Sequence, residues 1–147
     1  MALANKKINI VAGVEGKNAT GNGDVAVVAF DTNMLLNIAR FNVDIFREAR
    51  EMFGRVEFIV PAEAVREMDA LAARKAKIEK EVKVAKMAME KSGAKVLDFG
   101  QRTADKALLL LAPEATIGTN DKELKDSVRE MGGRVLILRQ RKFLELD

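Results

Sequence analysis

The stretch VAVVAFDTN, residues 25–33, decides how the rest of the chain is read. Its first six residues form an unbroken apolar run with no polar alternation. That pattern fits a strand buried on both faces, as in a parallel sheet covered by helices. The run stops at Asp31, so a buried strand carries a carboxylate directly to the sheet's carboxyl edge, where α/β proteins bind ligands. A charge placed there needs a partner.

Beyond this stretch, helix-like and strand-like segments alternate. Asn33–Arg40 and Val43–Phe53 read as helices, the second with Ile45, Phe46, Ala49 and Phe53 along one side. VEFIV (56–60) reads as a second strand, and Pro61 suits the first position of a helix running to Leu71. Residues 74–91 form a long amphipathic pattern with Ile78, Val82, Ala85 and Met89 as its stripe. KVLDF (95–99) is a third strand, followed by a helix over 104–112. ATIGT, a helix over 121–131 ending at Gly132-Gly133, and the strand RVLIL complete the order. The expectation is an α/β fold: a three-layer α/β/α domain over 25–147 with a short parallel sheet of four to five strands. Residues 1–24 read as a flexible lead-in containing a short strand candidate, KINIVAG. The nearby VAGVEGKN fails as a phosphate loop, because Val11 stands at the first glycine position and Asn18 replaces the hydroxyl residue.

At 147 residues the chain is long enough for one well-packed domain. It has no Cys and no His, which excludes disulfides, thiolate nucleophiles, thiolate zinc sites and the commonest general base. It has no Tyr, and its only serines are Ser92 and Ser127. Chemistry is left to carboxylates, Lys, Arg, hydroxyls and a metal. Oxygen-only ligands favour Mg²⁺ or Mn²⁺. The formal charge of +3 is compatible with a polyanion, and with no Trp or Tyr such a partner would be held mainly through its phosphates. No apolar stretch approaches a membrane span and no secretory leader is legible, so a cytoplasmic location with no membrane partner is expected.

Four acids follow strand-like segments at matching places: Asp31, Glu67, Asp105 and Asp121. Each has a plain structural explanation. Asp121 could be a first-turn acid beside a capping box over 120–123, and Asp105 a first-turn acid after the N-cap Thr103. Glu67 lies past the capping positions of its helix, and Asp31 is harder still to explain that way. Two carboxylates 5 Å apart repel by roughly 3 kcal/mol at an effective dielectric near 20. Four together need raised pKa values or a cation, and a bound Mg²⁺ or Mn²⁺ would keep waters and open positions for phosphate oxygens. Such an ion can polarise a phosphodiester and activate an attacking water.

Neighbouring residues compete for supporting roles. Glu63 is one turn before Glu67, Asp98 is an alternative to Asp105, and Asp69 points away from Glu67. Thr32, Asn33, Thr119 and Asn120 either hydrogen-bond the carboxylates and their waters or cap helices. The many lysines of 74–91 read as a solvated helix face. Arg139, Arg141 and Lys142 follow the last strand near the carboxyl edge and, with Arg102 and Lys122, are the leading candidates for phosphate contacts.

DTN at 31–33, VPAEAVREMDAL at 60–71, ADKALLLLA at 104–112 and ATIGTNDKELK at 115–125, in that order, resemble PIN-domain ribonucleases. The chain looks most like free-standing archaeal members and the eukaryotic PIN nuclease of small-subunit rRNA processing. TNDKELK followed by RVLILRQRKFLEL strengthens the likeness, which covers about 25–147. It implies a metal-dependent endoribonuclease leaving a 5′-phosphate and a 3′-hydroxyl, with Asp31, Glu67, Asp105 and Asp121 as metal-binding catalytic acids. It also implies RNA as partner, a homodimer as candidate assembly, and either a ribosome-assembly partner or, for a VapC-like toxin, an antitoxin. A non-catalytic RNA-binding scaffold and a phosphoacceptor receiver domain are the rival readings. Lys106 stands where some relatives carry a further acid, and the zinc module of related ribosome-assembly nucleases is impossible without Cys.

Overall fold

A computed structural model describes residues 25–147. The lead-in over 1–24 and its strand candidate lie outside them. The elements run β1 (Ala26–Phe30), α1 (Thr32–Arg40), α2 (Ile45–Phe53), β2 (Val56–Pro61), α3 (Ala62–Arg74), α4 (Ala76–Ser92), β3 (Lys95–Leu97), α5 (Ala104–Leu111), β4 (Thr116–Gly118), α6 (Lys122–Glu130), β5 (Arg134–Arg139) and β6 (Phe143–Leu146).

The strands form one sheet in the order β3-β2-β1-β4-β5-β6, parallel except for β6, which is antiparallel to β5. Strand side chains alternate between faces, and the alternation divides the core in two. Val28, Phe30, Phe58, Val60, Leu136 and Leu138 point toward α1–α4, together with Ala64, Met68, Val82 and Ala85. Val27, Ala29, Ile59, Ile117, Val135 and Ile137 point toward α5 and α6, where Leu108, Leu111, Leu124 and Val128 meet them. Both faces are covered, which is why VAVVAF shows no polar alternation.

Among the described residues the sheet has six strands, not four to five. The additional strand, β6, follows a tight turn closed by the Lys142 N–H on the Arg139 carbonyl (3.0 Å). Gln140 and Arg141 adopt positive φ of 55° and 60°. Hairpin turns of that sense normally announce themselves with Asn or Gly, and RQRK carries neither. The third strand also ends earlier than KVLDF suggests. It stops at Leu97, and Phe99 and Gln101 donate their N–H groups to Glu63 instead of a neighbouring strand.

From β3 at one edge, the chain crosses through α5 to β4 on the far side of β1. Strand order therefore reverses between β1 and β4, the topological switch point where open α/β sheets form their ligand crevice. Gly118 sits beside Phe30 there, and a Cβ on it would lie 2.3 Å from the ring. Only glycine lets that ring stack with Phe58 and meet Phe46 edge-on, fixing the end of β1 just before Asp31.

Candidate functional site

Asp31 follows β1 directly and serves as N-cap of α1, its Oδ1 accepting the Met34 N–H at 2.7 Å. Its other oxygen accepts a short hydrogen bond from the Thr119 hydroxyl. Thr119 follows β4, so one bond ties together the two strand ends at the switch point. The Thr119 hydroxyl in turn accepts the Asp121 N–H (3.0 Å), and Asp121 caps α6 through the Leu124 N–H (2.8 Å). Asp121 is thus itself the cap, not a first-turn acid behind one. Asp31 and Thr119 are buried, whereas Asp121 is exposed.

Glu67 reaches the same place from α3. Its Oε1 accepts the Thr32 hydroxyl (2.8 Å) and its Oε2 the Ala104 N–H (3.0 Å), joining the first turns of α1 and α5. Asp105 lies in the first turn of α5, whose N-cap is Thr103. These elements bring all four acids together: Asp31, Glu67, Asp105 and Asp121 line one pocket of about 280 Å³ with Thr32, Asn33 and Thr103.

The electrostatics are those of crowded like charges. Burial pushes the Asp31 carboxyl up from 3.8 to about 6, against the lowering effect of Thr119 and Met34, and the charges of Asp105 and Asp121 add to the rise. Asp105 is raised by desolvation and then by Asp121, Glu67 and Glu123. Among the described residues no Lys or Arg forms an ion pair with any of the four acids.

A hard divalent cation fits this donor set. As the side chains stand, no group of three or more acids among the described residues is arranged to hold one ion. The hydrogen bonds of Asp31, Glu67 and Asp121 keep their carboxylates spread around the wall. That spacing suits an ion held directly by one or two carboxylates and by the others through water, the usual Mg²⁺ habit.

The raised Asp31 pKa sets a pH dependence for the metal-free protein. Its folded value exceeds its unfolded one, so the native state takes up a proton as pH falls through about 6. Stability from this group is present below about pH 4 and is lost as pH rises to 6 and beyond. The difference corresponds to about 3 kcal/mol. In chelator, the melting temperature of Asp31→Asn relative to wild type should climb between pH 4.5 and pH 8; a gap independent of pH would contradict this.

The supporting residues divide. Thr32 and Thr119 hold the acids. Asn120 does not: its amide donates to the Leu138 carbonyl (3.0 Å) and accepts the Leu138 N–H (2.8 Å), extending the pairing of β4 with β5. Asn33 lines the pocket. Asp98 lies outside it, accepting the Gly100 N–H and pairing with Arg66. Asp69 pairs with Lys86 (2.7 Å). Glu63 is buried and accepts the N–H groups of Phe99 and Gln101 (2.7 Å for the latter), pinning the loop that leads to α5. Of the basic residues, Lys122 pairs with Asp126 (2.9 Å) and Arg139 with Glu145 (2.6 Å). Arg141 lies 5.1 Å from the Phe41 ring centroid. Arg102 and Lys142 have no ion pair among the described residues. Sequence reasoning passed over Asn37, which lines an adjoining cavity; its i,i+4 spacing from Asn33 was the available signal.

This architecture and pocket place the chain in a known class. A family model described as a PIN like domain matches residues 28–141, and the chain belongs to that family. Ribonuclease VapC4 of Methanocaldococcus jannaschii is 28% identical over 121 residues, which cover 79% of this chain and 92% of that protein. The structure of the PIN domain endonuclease Utp24 matches with a TM-score of 0.67 at 17% identity, over 82% of this chain and 90% of that one. At that identity the likeness to Utp24 speaks for the fold alone. No helix among the described residues is long and apolar enough to cross a membrane.

Proposed function

We propose that this chain is an endoribonuclease that uses Mg²⁺ or Mn²⁺, with Asp31, Glu67, Asp105 and Asp121 as its metal-binding catalytic acids. The observation that carries the reading is their convergence in one pocket at the switch point of a PIN-like domain, with no Lys or Arg paired to them among the described residues. The ribonuclease relative supports RNA as the substrate class. Asp31, Asp105 and Asp121 would hold the ion, one or two of them directly and the rest through water, and Glu67 would bind it or orient the attacking water. A bound ion supplies charge neutralisation at the scissile phosphate and a lower pKa for that water.

The rest is positioning. Thr119 and the α1 N-terminus fix the Asp31 carboxylate, and Thr32 with the Ala104 N–H fixes Glu67, so neither acid must reorganise as charge develops. Arg102, next in sequence to the pocket-lining Thr103, with Arg141 and Lys142 at the hairpin turn, would hold flanking phosphates. Arg139 and Lys122 would contribute less, because each is already paired with an acid. Replacing Arg141 and Lys142 with Ala should weaken RNA binding and reduce the slope of log K against log salt by about 0.7 per lost contact with a single strand; an unchanged slope would remove this patch from the interface.

Cleavage in rRNA maturation is the first reading of the biological role. The VapC4 likeness favours a second, a toxin ribonuclease held by an antitoxin. Growth arrest on expression in a bacterial host, relieved by Asp31→Asn, would select the toxin. The activity itself is tested on structured and single-stranded RNA with Mg²⁺, Mn²⁺ or chelator. The expected result is metal-dependent internal cleavage leaving 5′-phosphates. RNA that binds and is never cut would make the protein a scaffold.

A further inference from the structure

A second cavity of about 240 Å³ adjoins the acid pocket, lined by Asp31, Asn33, Met34, Asn37, Asn120 and Asp121. It shares Asp31, Asn33 and Asp121 with the first, so a chain lying in one continues into the other. Its character differs. Away from the shared acids, its polar surface is made of neutral side-chain amides.

Asn33 and Asn37 are one turn apart on α1 and face the same way, with Phe41 one turn further on. The helix rise places Phe41 about 12 Å from Asn33. There the Arg141 guanidinium lies over the Phe41 ring, at a turn whose backbone is held at positive φ. The Asn33–Asn37 face therefore runs from the acids to a cation. That is the order in which a nucleic-acid strand presents a scissile phosphate, a nucleoside and a phosphate further along.

A half-buried polar side chain normally finds a protein partner, yet half-buried Asn37, like exposed Asn33, has no side-chain hydrogen bond among the described residues. Asn120 shows the contrast, since its amide both donates to and accepts from the Leu138 backbone. An Asn amide offers a donor beside an acceptor, the combination that reads a base edge such as N6/N7 of adenine. Specific RNA recognition works mostly on single-stranded bases through such edges.

The geometry points to a nucleoside subsite in this cavity, in which Asn37, assisted by Asn33, hydrogen-bonds the base next to the scissile phosphate and sets sequence preference. The inference rests on the ribonuclease reading, and its test has an arm that does not need turnover. In the first arm, cut sites on a randomised RNA are sequenced with Mn²⁺ for wild type and Asn37→Ala. A preference of about fivefold or more at the nucleotide beside the cut should fall to within twofold, with KM rising more than kcat falls. In the second arm, fluorescein-labelled rA8, rC8 and rU8 are titrated in chelator. The spread of wild-type affinities should collapse in Asn37→Ala, while unchanged thermal melting shows that the fold is intact. An unaltered cut-site profile, or an unaltered affinity spread, overturns the subsite. Absence of cleavage by wild type would count against the nuclease reading alone, and the titration would still decide this one.

Discussion

Asp31→Asn should lower RNA cleavage by 10²–10³-fold, the usual cost of removing one preorganised group that stabilises developing charge. The change is nearly isosteric. The amide oxygen can still cap α1 through the Met34 N–H, and the Thr119 hydroxyl can rotate to accept from the new amide. What disappears is a negative charge that burial and two neighbouring acids disfavour. Loss of activity should therefore accompany a higher melting temperature in chelator at pH 8. Stability and activity moving in opposite directions separates a functional acid from a structural one. If both fell together, Asp31 would be a structural cap; if cleavage were unchanged, the site assignment would be wrong.

Glu63→Ala should have the largest effect on stability, about 3 kcal/mol or more. Glu63 is 2% exposed and makes no ion pair among the described residues; its carboxylate is held by the N–H groups of Phe99 and Gln101. Removing it leaves those donors without their acceptor and opens a cavity beneath the loop. Glu63→Gln keeps one acceptor oxygen and should lose less than half as much. Because that loop leads into Thr103 and Asp105, the Ala variant should also weaken cleavage in proportion to the loosening of the α5 N-terminus. Denaturant midpoints measure the first effect, and a loss below 1 kcal/mol would show the clamp to be incidental.

Much of this was legible in the chain. VAVVAF identifies itself because a strand covered on both faces has no reason to alternate, and Asp31 is then at the edge by simple continuation. Glu67 stood out because no capping role explains an acid in a second helical turn. Other features were hidden for equally physical reasons. β6 is four residues long and follows a turn built from Gln140 and Arg141, side chains that rarely tolerate positive φ. Glu63 reads as a first-turn acid favouring the helix dipole, and only the folded chain shows the loop it anchors. The end of β3 is masked in the sequence because Phe99 continues the apolar pattern while its N–H turns to a side chain. Asn37 looks like ordinary surface until the cavity beside the acids is seen.

Whether four carboxylates from distant parts of the chain form one binding site for a divalent cation is decided by titrating Mn²⁺ into the purified protein and following the melting temperature, for wild type beside Asp31→Asn and Asp121→Asn, both of which can keep their helix caps. A hundredfold excess over Kd stabilises the native state by about 2.7 kcal/mol, on the order of 8 °C for a domain of this size. Wild type should show that rise and both variants should lose most of it. No Mn²⁺-dependent rise in wild type, or an equal rise in all three proteins, would contradict the account.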